Sequence, residues 1–304
     1  MNDKISLIIP TYKRNFYLKK CLDSLSIQST DKSKYEIIVV DNDKENEITN
    51  LIKNFRKRGV DLTYVKNVTN NVSSARNLGI SLSKYKNLLF IGDDIYVCRD
   101  FIKQHLSFLR KYNFQAIILG FTDWYEGNKK INNFMRYIAP TGLQFSYGNY
   151  KTGDICPFWM FYTSNISLSK KIIGTMKFDS HYQQYGLEDT DLGYLLHKKN
   201  YRIILNENAL AYHDHSTCFK KFIRRQKYIG LSAKTFIEKY PELKKDLIKP
   251  YGILILIIGF LAYHTKILSF MNEPLYWELS LAYFKYLYYL KVKYFNKNYY
   301  NNSL

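Results

Sequence analysis

The chain has 304 residues, 46% of them hydrophobic and 17% aromatic, so it can bury a sizeable core and is too apolar for a disordered chain. Lysine and arginine outnumber acids 45 to 26, and the formal charge of +19 suits an anionic partner: nucleic acid, an acidic membrane leaflet or a phosphorylated substrate. Four scattered cysteines (Cys21, Cys98, Cys156, Cys218) have neither metal-ligand pairing nor framework density, which excludes a small disulfide-built fold and points to a reducing compartment.

Met1 to Lys4 lead directly into a strand-like Ile5 to Ile9, without the charged and then apolar pattern of a secretory signal, so a cytoplasmic location is expected. That strand is closed by Pro10-Thr11-Tyr12, and Leu18, Cys21, Leu22 and Leu25 follow at helical spacing. A second strand-and-helix unit repeats the pattern: Glu36 to Val40 ends at Asp41-Asn42-Asp43, and Ile48, Leu51, Ile52 and Phe55 mark the helix. Leu62 to Val65 reads as a third strand, and Asn70 to Ser74 caps a helix carrying Ala75-Arg76-Asn77-Leu78-Gly79-Ile80. Asn87 to Ile91 is an apolar run without alternation, the pattern of a strand buried on both faces, and it stops in Gly92-Asp93-Asp94. Strands alternating with helices predict a mostly parallel sheet with helices on both faces, its polar strand ends converging on one edge.

Two adjacent carboxylates in a basic protein repel each other unless a cation or a ring of donors compensates. Asp93-Asp94 therefore reads either as a divalent-metal site carrying a phosphorylated ligand or as a cap on the next helix. No Gly-x-Gly-x-x-Gly follows any strand and no Gly-Lys-Ser/Thr loop occurs, which excludes dinucleotide oxidoreductases and P-loop enzymes. A bound phosphate must then be neutralised by a metal at the aspartates and by Arg76.

Ala116 to Phe121 predicts another strand, and residues 122–158, with Trp124, Tyr125, Phe145 and Tyr147, an irregular aromatic stretch that reads either as a surface covering sugar or base rings or, for any single ring, as ordinary loop packing. Tyr185 to Leu196 places Glu188, Asp189 and Asp191 at a helix start, three acids where capping needs fewer, and mutual repulsion pushes one towards general-base duty. Tyr201 to Leu205 and Ala209 to Tyr212 are strand-like and end in His213-Asp214-His215, a candidate ligand pair for a Mn-like ion. Phe219 to Glu238 predicts a basic helix with Lys220, Lys221, Arg224, Arg225 and Lys227. Gly252 to Tyr263 is the most apolar stretch but is shorter than the roughly 20 residues that span a bilayer. The tail from Leu275 to Tyr300, with Trp277, Lys285, Lys291, Lys293 and Lys297, suits either an anionic membrane surface or a helical hairpin docked on the catalytic domain or on a second copy in a homodimer.

Six segments, in order, resemble family 2 of the inverting, nucleotide-sugar-dependent glycosyltransferases: Ser6 to Tyr12, Ile38 to Asn42, Ser74 to Ile80, Leu89 to Asp94, Tyr185 to Leu192, and Ala211 to His213. The resemblance implies the α/β GT-A fold, a Rossmann-like mostly parallel sheet with flanking helices, over residues 1–230. Residues 1–98 would be the nucleotide-binding half and 99–230 the acceptor-binding half, with a helical, basic and aromatic C-terminal extension over 231–304. It implies that Pro10, Thr11, Tyr12, Asp41 and Arg76 hold the nucleotide, that Asp93 contacts the ribose, and that Asp94 with His213 ligates Mn2+ or Mg2+, His215 being the rival position. Asp189 matches the catalytic base and Glu188 an acceptor-hydroxyl contact. The family's acidic motif commonly has an acid where Gly92 stands, so the division of labour between Asp93 and Asp94 is open.

The implied activity is transfer of a sugar, from a UDP-sugar first of all, to a hydroxyl of a glycan or lipid-linked acceptor in cell-surface polysaccharide synthesis, at the inner face of the cell membrane. Two rivals are weaker. A sugar nucleotidyltransferase needs a glycine-rich amino-terminal loop that Pro10-Thr11-Tyr12-Lys13-Arg14 lacks. A nucleic-acid-binding module explains the charge but not the carboxylates, so no nucleic-acid partner is expected.

Overall fold

The structure is a computed structural model that describes residues 3–43, 48–127, 130–140, 142–182, 186–247, 252–264 and 273–294. Tyr185, Lys297 and Tyr300 of the sequence motifs lie outside the described residues, as do the side chains of Lys227, Gly252, Ile253, Ile255, Lys291 and Lys293. In chain order the elements are β1 (Ile5–Thr11), α1 (Asn15–Ser26), β2 (Tyr35–Asp41), α2 (Thr49–Lys57), β3 (Leu62–Lys66), α3 (Val72–Leu82), β4 (Asn87–Ile91), β5 (Ile95–Val97), α4 (Phe101–Lys111), β6 (Ile117–Trp124) and α5 (Asn133–Ile138). They continue with β7 (Ile155–Cys156), β8 (Asn165–Ser169), α6 (Lys170–Ile173), α7 (Glu188–Lys198), β9 (Ile203–His213), α8 (Phe219–Lys239), α9 (Lys244–Leu247), α10 (Gly252–His264) and α11 (Glu273–Tyr294).

The described residues fall into two compact units, the first within Met1–Ile131, Ile138–Ser180 and Glu188–Ser216, the second within Asn132–Tyr137, His181–Leu187 and Thr217–Leu304. The first unit is built on one sheet in the order β3-β2-β1-β4-β8-β6-β9-β5, with β7 paired to β9. β1 to β4 are mutually parallel, and β6 and β9 run parallel to each other, whereas β8, β5 and β7 pair antiparallel. The mostly parallel sheet expected from strand-helix alternation is present.

Alternation along β1 sorts its side chains. Ile5, Leu7 and Ile9 join the core formed with α1, α2 and α4, while Ile8 faces α3 on the other side. Ile38 and Val40 of β2 pack there with Ala75. Asn71 caps α3 by accepting a hydrogen bond from the Ser74 N–H at 3.0 Å, as the Asn/Ser run predicts.

The run from Asn87 ends at Ile91 as expected, and the residues after Gly92-Asp93-Asp94 form a further strand not expected from the sequence, β5, antiparallel to the end of β9. The two strand-like runs after Tyr201 form one strand, β9, whose register against β6 shifts between Gly120 and Phe121. In the aromatic stretch β6 extends to Trp124, and Trp124, Phe145 and Tyr147 are buried, because rings that large stabilise more as packing than as exposed surface.

In the second unit α8 packs on α11, with Gly230 against the backbone of Lys285 and Tyr289, and α10 packs on α11, with Gly259 against Leu279 and Tyr283. Phe134 joins Phe219, Phe222 and Trp277 in an aromatic cluster. α8 runs unbroken through residue 230, and the division between the units falls at its foot, between Ser216 and Thr217. Among the described residues no helix is long and apolar enough to cross a membrane.

A Cβ at Gly79 would overlap the fully buried, β-branched Ile8 side chain. Ala is favoured over Gly in a helix by up to about 1 kcal/mol, but overpacking a core costs about 1–3 kcal/mol, so the steric effect wins. Gly79→Ala is therefore expected to lower unfolding stability by about 1–2 kcal/mol in urea titration; an unchanged or raised midpoint would refute the close α3–β1 contact.

Candidate active site

Parallel pairing sets the ends of three strands flush. Thr11 lies opposite Asp41 in β1 and β2, and Asp41 opposite Lys66 in β2 and β3. Pro10 and Thr11 close β1, with Tyr12 standing exposed just beyond. The Thr11 hydroxyl donates to Asp93 Oδ2 at 2.7 Å, tying the first strand end to the turn after β4. Asp41 is buried and accepts hydrogen bonds from the Tyr64 hydroxyl at 2.9 Å, Lys66 Nζ at 3.2 Å and the Asp43 N–H at 2.9 Å. The expected donor residues Pro10, Thr11, Asp41 and Asp93 thus share one sheet edge.

The second cluster exists because β5 runs back along β9. That pairing puts Ile95 opposite His213, and the Asp214 N–H donates to the Asp94 carbonyl at 2.9 Å. His213 Nε2 comes within 3.0 Å of Asp94 Oδ2, and His215 Nδ1 within 3.9 Å. One ligand atom from each of Asp94, His213 and His215 lies within 4.8 Å of the others. This set of one carboxylate and two imidazoles has the donor chemistry of a borderline ion such as Mn2+, and both candidate histidines belong to the set. Gln144 bonds Nδ1 of His213 at 3.1 Å and Trp124 stacks on the ring at 5.5 Å, fixing its orientation. Between the histidines, buried Asp214 accepts from the Tyr96 hydroxyl at 2.6 Å and pairs with Lys20 at 3.6 Å.

Arg14 bridges the adjacent carboxylates, with Nη1 3.1 Å from Asp93 Oδ1 and Nη2 2.6 Å from Asp94 Oδ2. Burial and the neighbouring Asp94 charge push the Asp93 carboxyl up to about 7. Burial works against the charged form of Asp94 too, but His213 and Arg14 hold that carboxyl well below the usual range. One acid of the pair thus keeps its charge at the expense of the other.

A third cluster sits at the start of α7. Arg76, held above the Phe178 ring, pairs through Nη1 with Glu188 Oε1 at 3.2 Å and with Asp189 Oδ1 at 2.9 Å. The other oxygen of Asp189 accepts from the Thr163 N–H at 3.1 Å and the Thr163 hydroxyl at 2.7 Å. Glu188 is buried, whereas 26% of the Asp189 side chain is open to solvent. Enclosure pushes the Asp189 carboxyl up to about 6; Arg76 and Thr163 oppose the shift and Glu188 reinforces it. Both oxygens are oriented, and the affinity for a proton is raised into the range of a general base.

Thr163, Gln144 and Arg14 carry no motif that sequence reading could have used. Lys66 was legible in principle, as the last residue of the strand beside Asp41.

Residues 6–167 match the model of the family described as Glycosyl transferase family 2. The chain is 30% identical over 113 residues to the poly(ribitol-phosphate) beta-glucosyltransferase of Bacillus spizizenii, a stretch covering 36% of this chain and 17% of that protein. The curated relatives are matched over 14% to 34% of their own length. Among solved structures, the mannosyltransferase PcManGT from Pyrobaculum calidifontis in complex with GDP-Man and Mn2+ superposes with a TM-score of 0.65 at 13% identity, covering 97% of this chain and 88% of that one. S. aureus TarS 1-349 in complex with UDP-GlcNAc gives 0.57 at 14% identity, covering 95% and 91%. At these identities the likeness is one of fold.

Removing Arg76 leaves two carboxylates facing each other in a largely enclosed site. Arg76→Met is expected to destabilise the chain by about 3 kcal/mol at pH 8. Without the guanidinium the Asp189 carboxyl, already raised to about 6, loses the charge that opposes the rise, and stability from a group with a raised folded-state value is lost as pH rises through that value. The deficit should therefore shrink towards pH 5, and a pH-independent deficit in urea titrations would contradict the ion-pair geometry.

Proposed function

The chain belongs to glycosyl transferase family 2 and has the GT-A fold, and from that premise we propose that it transfers a sugar, with inversion, from a UDP-sugar to a hydroxyl of a glycan or lipid-linked acceptor in polysaccharide synthesis. The observation that carries this reading is Asp189: a carboxylate oriented at both oxygens, partly open, with its proton affinity raised to about 6. Asp189 takes the proton of the acceptor hydroxyl as that oxygen attacks the anomeric carbon from the face opposite the diphosphate. The bond from that carbon to the diphosphate oxygen breaks with its electron pair leaving on the oxygen, so a single displacement inverts the centre. Glu188, buried and paired with the same Arg76 nitrogen as Asp189, sets the charge around the base, and Arg76 couples both acids to the donor half.

Residues 1–98 supply the donor side in this reading, with Pro10, Thr11, Tyr12 and Asp41 around the nucleotide and Asp93 on the ribose. Residues 99–230 supply the acceptor side. Asp94 and His213, with His215 beside them, would hold Mn2+ or Mg2+, which when bound supplies Lewis-acid stabilisation of the negative charge on the leaving diphosphate. The likeness to a fold that carries GDP-Man with Mn2+ supports a metal here, and the poly(ribitol-phosphate) relative supports a polymer acceptor.

The extension over 231–304, with the helix leading into it, is read as a peripheral contact with the anionic inner face of the cell membrane. Leu254, Ile257 and Phe260 stand exposed on α10, and Lys220, Lys221 and Arg224 on α8. Exposed apolar side chains in a basic unit suit a headgroup layer. The protein is expected to co-sediment with anionic vesicles at low salt and to release at high salt; protein left in the supernatant at low salt would remove this contact.

Asp189→Asn is expected to cut transfer roughly 100- to 10,000-fold with donor affinity unchanged. In the wild type, kcat/KM should fall about tenfold per pH unit below about 6, because the base must be charged to accept a proton. Transfer that survives in Asp189→Asn, or a profile flat down to pH 4, would place the base elsewhere.

A further inference from the structure

We propose that Arg14 competes with a divalent ion for Asp94: its guanidinium holds the same Asp94 oxygen that His213 approaches, and tight binding of an ion there requires Arg14 to give up that contact. The inference rests on the reading of Asp94, His213 and His215 as a cation site. It adds a residue that competes for that site from within the same chain.

The geometry is specific to one atom. Asp94 Oδ2 is the oxygen that His213 Nε2 approaches at 3.0 Å, and the same oxygen accepts from Arg14 Nη2 at 2.6 Å. The other arm of the guanidinium reaches Asp93 Oδ1 at 3.1 Å, so one planar group neutralises two adjacent acids whose side chains are only 7% and 10% exposed. An ion ligated by Oδ2 would stand a few ångströms from a guanidinium of like charge, and that repulsion weakens the hold on the ion for as long as Arg14 keeps its place.

Arg14 is built to move. It stands at the N-terminal boundary of α1, where its side chain makes no cap hydrogen bond, and 32% of it is open to solvent. Its guanidinium also lies over the Tyr17 ring at 4.9 Å, so the acids are not its sole partner. A diphosphate arriving with the ion offers the displaced guanidinium a new bidentate anion. Arg14 therefore holds ion affinity down until a donor diphosphate offers its guanidinium another anion.

The test is equilibrium Mn2+ binding to the full chain without nucleotide, read from the free-Mn2+ EPR signal. Arg14→Gln is expected to bind Mn2+ roughly 10- to 100-fold more tightly than wild type, the change carried by one charge-assisted hydrogen bond. A measurement on the wild type removes any dependence on how the variant folds: the Arg14 Nε–H signal, assigned by its absence in Arg14→Lys, should shift when Mg2+ is added. An unchanged Mn2+ affinity in Arg14→Gln, or an Arg14 signal unmoved at saturating Mg2+, overturns the proposal and leaves the cation site standing. Binding that is indifferent to Asp94→Asn, or absent at millimolar metal in both wild type and Arg14→Gln, overturns the cation site itself and the proposal with it.

Discussion

Two adjacent carboxylates at the end of a buried strand cannot both stay charged without a cation close by, and the first unit is arranged around that constraint. Asp93 is tied to β1 through Thr11, and Asp94 to the end of β9 through His213 and the Asp214 N–H. Arg14 closes the cluster by bridging both acids. The turn after β4 is thereby held from three sides. Burying two carboxylates is unfavourable by itself, and the contacts from Arg14, His213 and Thr11 offset part of that cost.

The acid pair at α7 follows the same logic with a different outcome. Arg76 partners Glu188 and Asp189 together, while Thr163 adds two donors to one oxygen of Asp189 alone. The two acids are consecutive in sequence yet unequal in setting: one is buried against a guanidinium, the other is oriented and partly open. Unequal settings for adjacent carboxylates thus recur at both clusters, and in both cases an arginine from residues 1–98 pairs with both acids.

Much of the fold was legible because its signals are local. Apolar runs ending in Pro10-Thr11, Asp41-Asn42 and Gly92-Asp93-Asp94 state buried parallel strands with polar ends, and Asn71 states a helix start. The fate of Ile95 to Val97 was not legible, because a three-residue apolar segment looks the same whether it prolongs a strand or folds back onto another. Its pairing with β9 depends on the chain more than 110 residues later. The aromatic residues between 122 and 158 read as a substrate surface for a similar reason: composition records ring area but not direction, and Trp124, Phe145 and Tyr147 turn inward.

The sequence by itself determined the fold class and the identities of the acids and histidines, since six short motifs in a fixed order each carry a local physical requirement. The tertiary structure decided which of these groups meet. It placed both His213 and His215 beside Asp94, took Arg76 to Glu188 and Asp189, and recruited Thr163, Gln144 and Arg14, which no motif marks. The reason is that charge compensation acts over a few ångströms in space. Arg14 and Asp94 are 80 positions apart in the chain, and 2.6 Å apart in the folded protein.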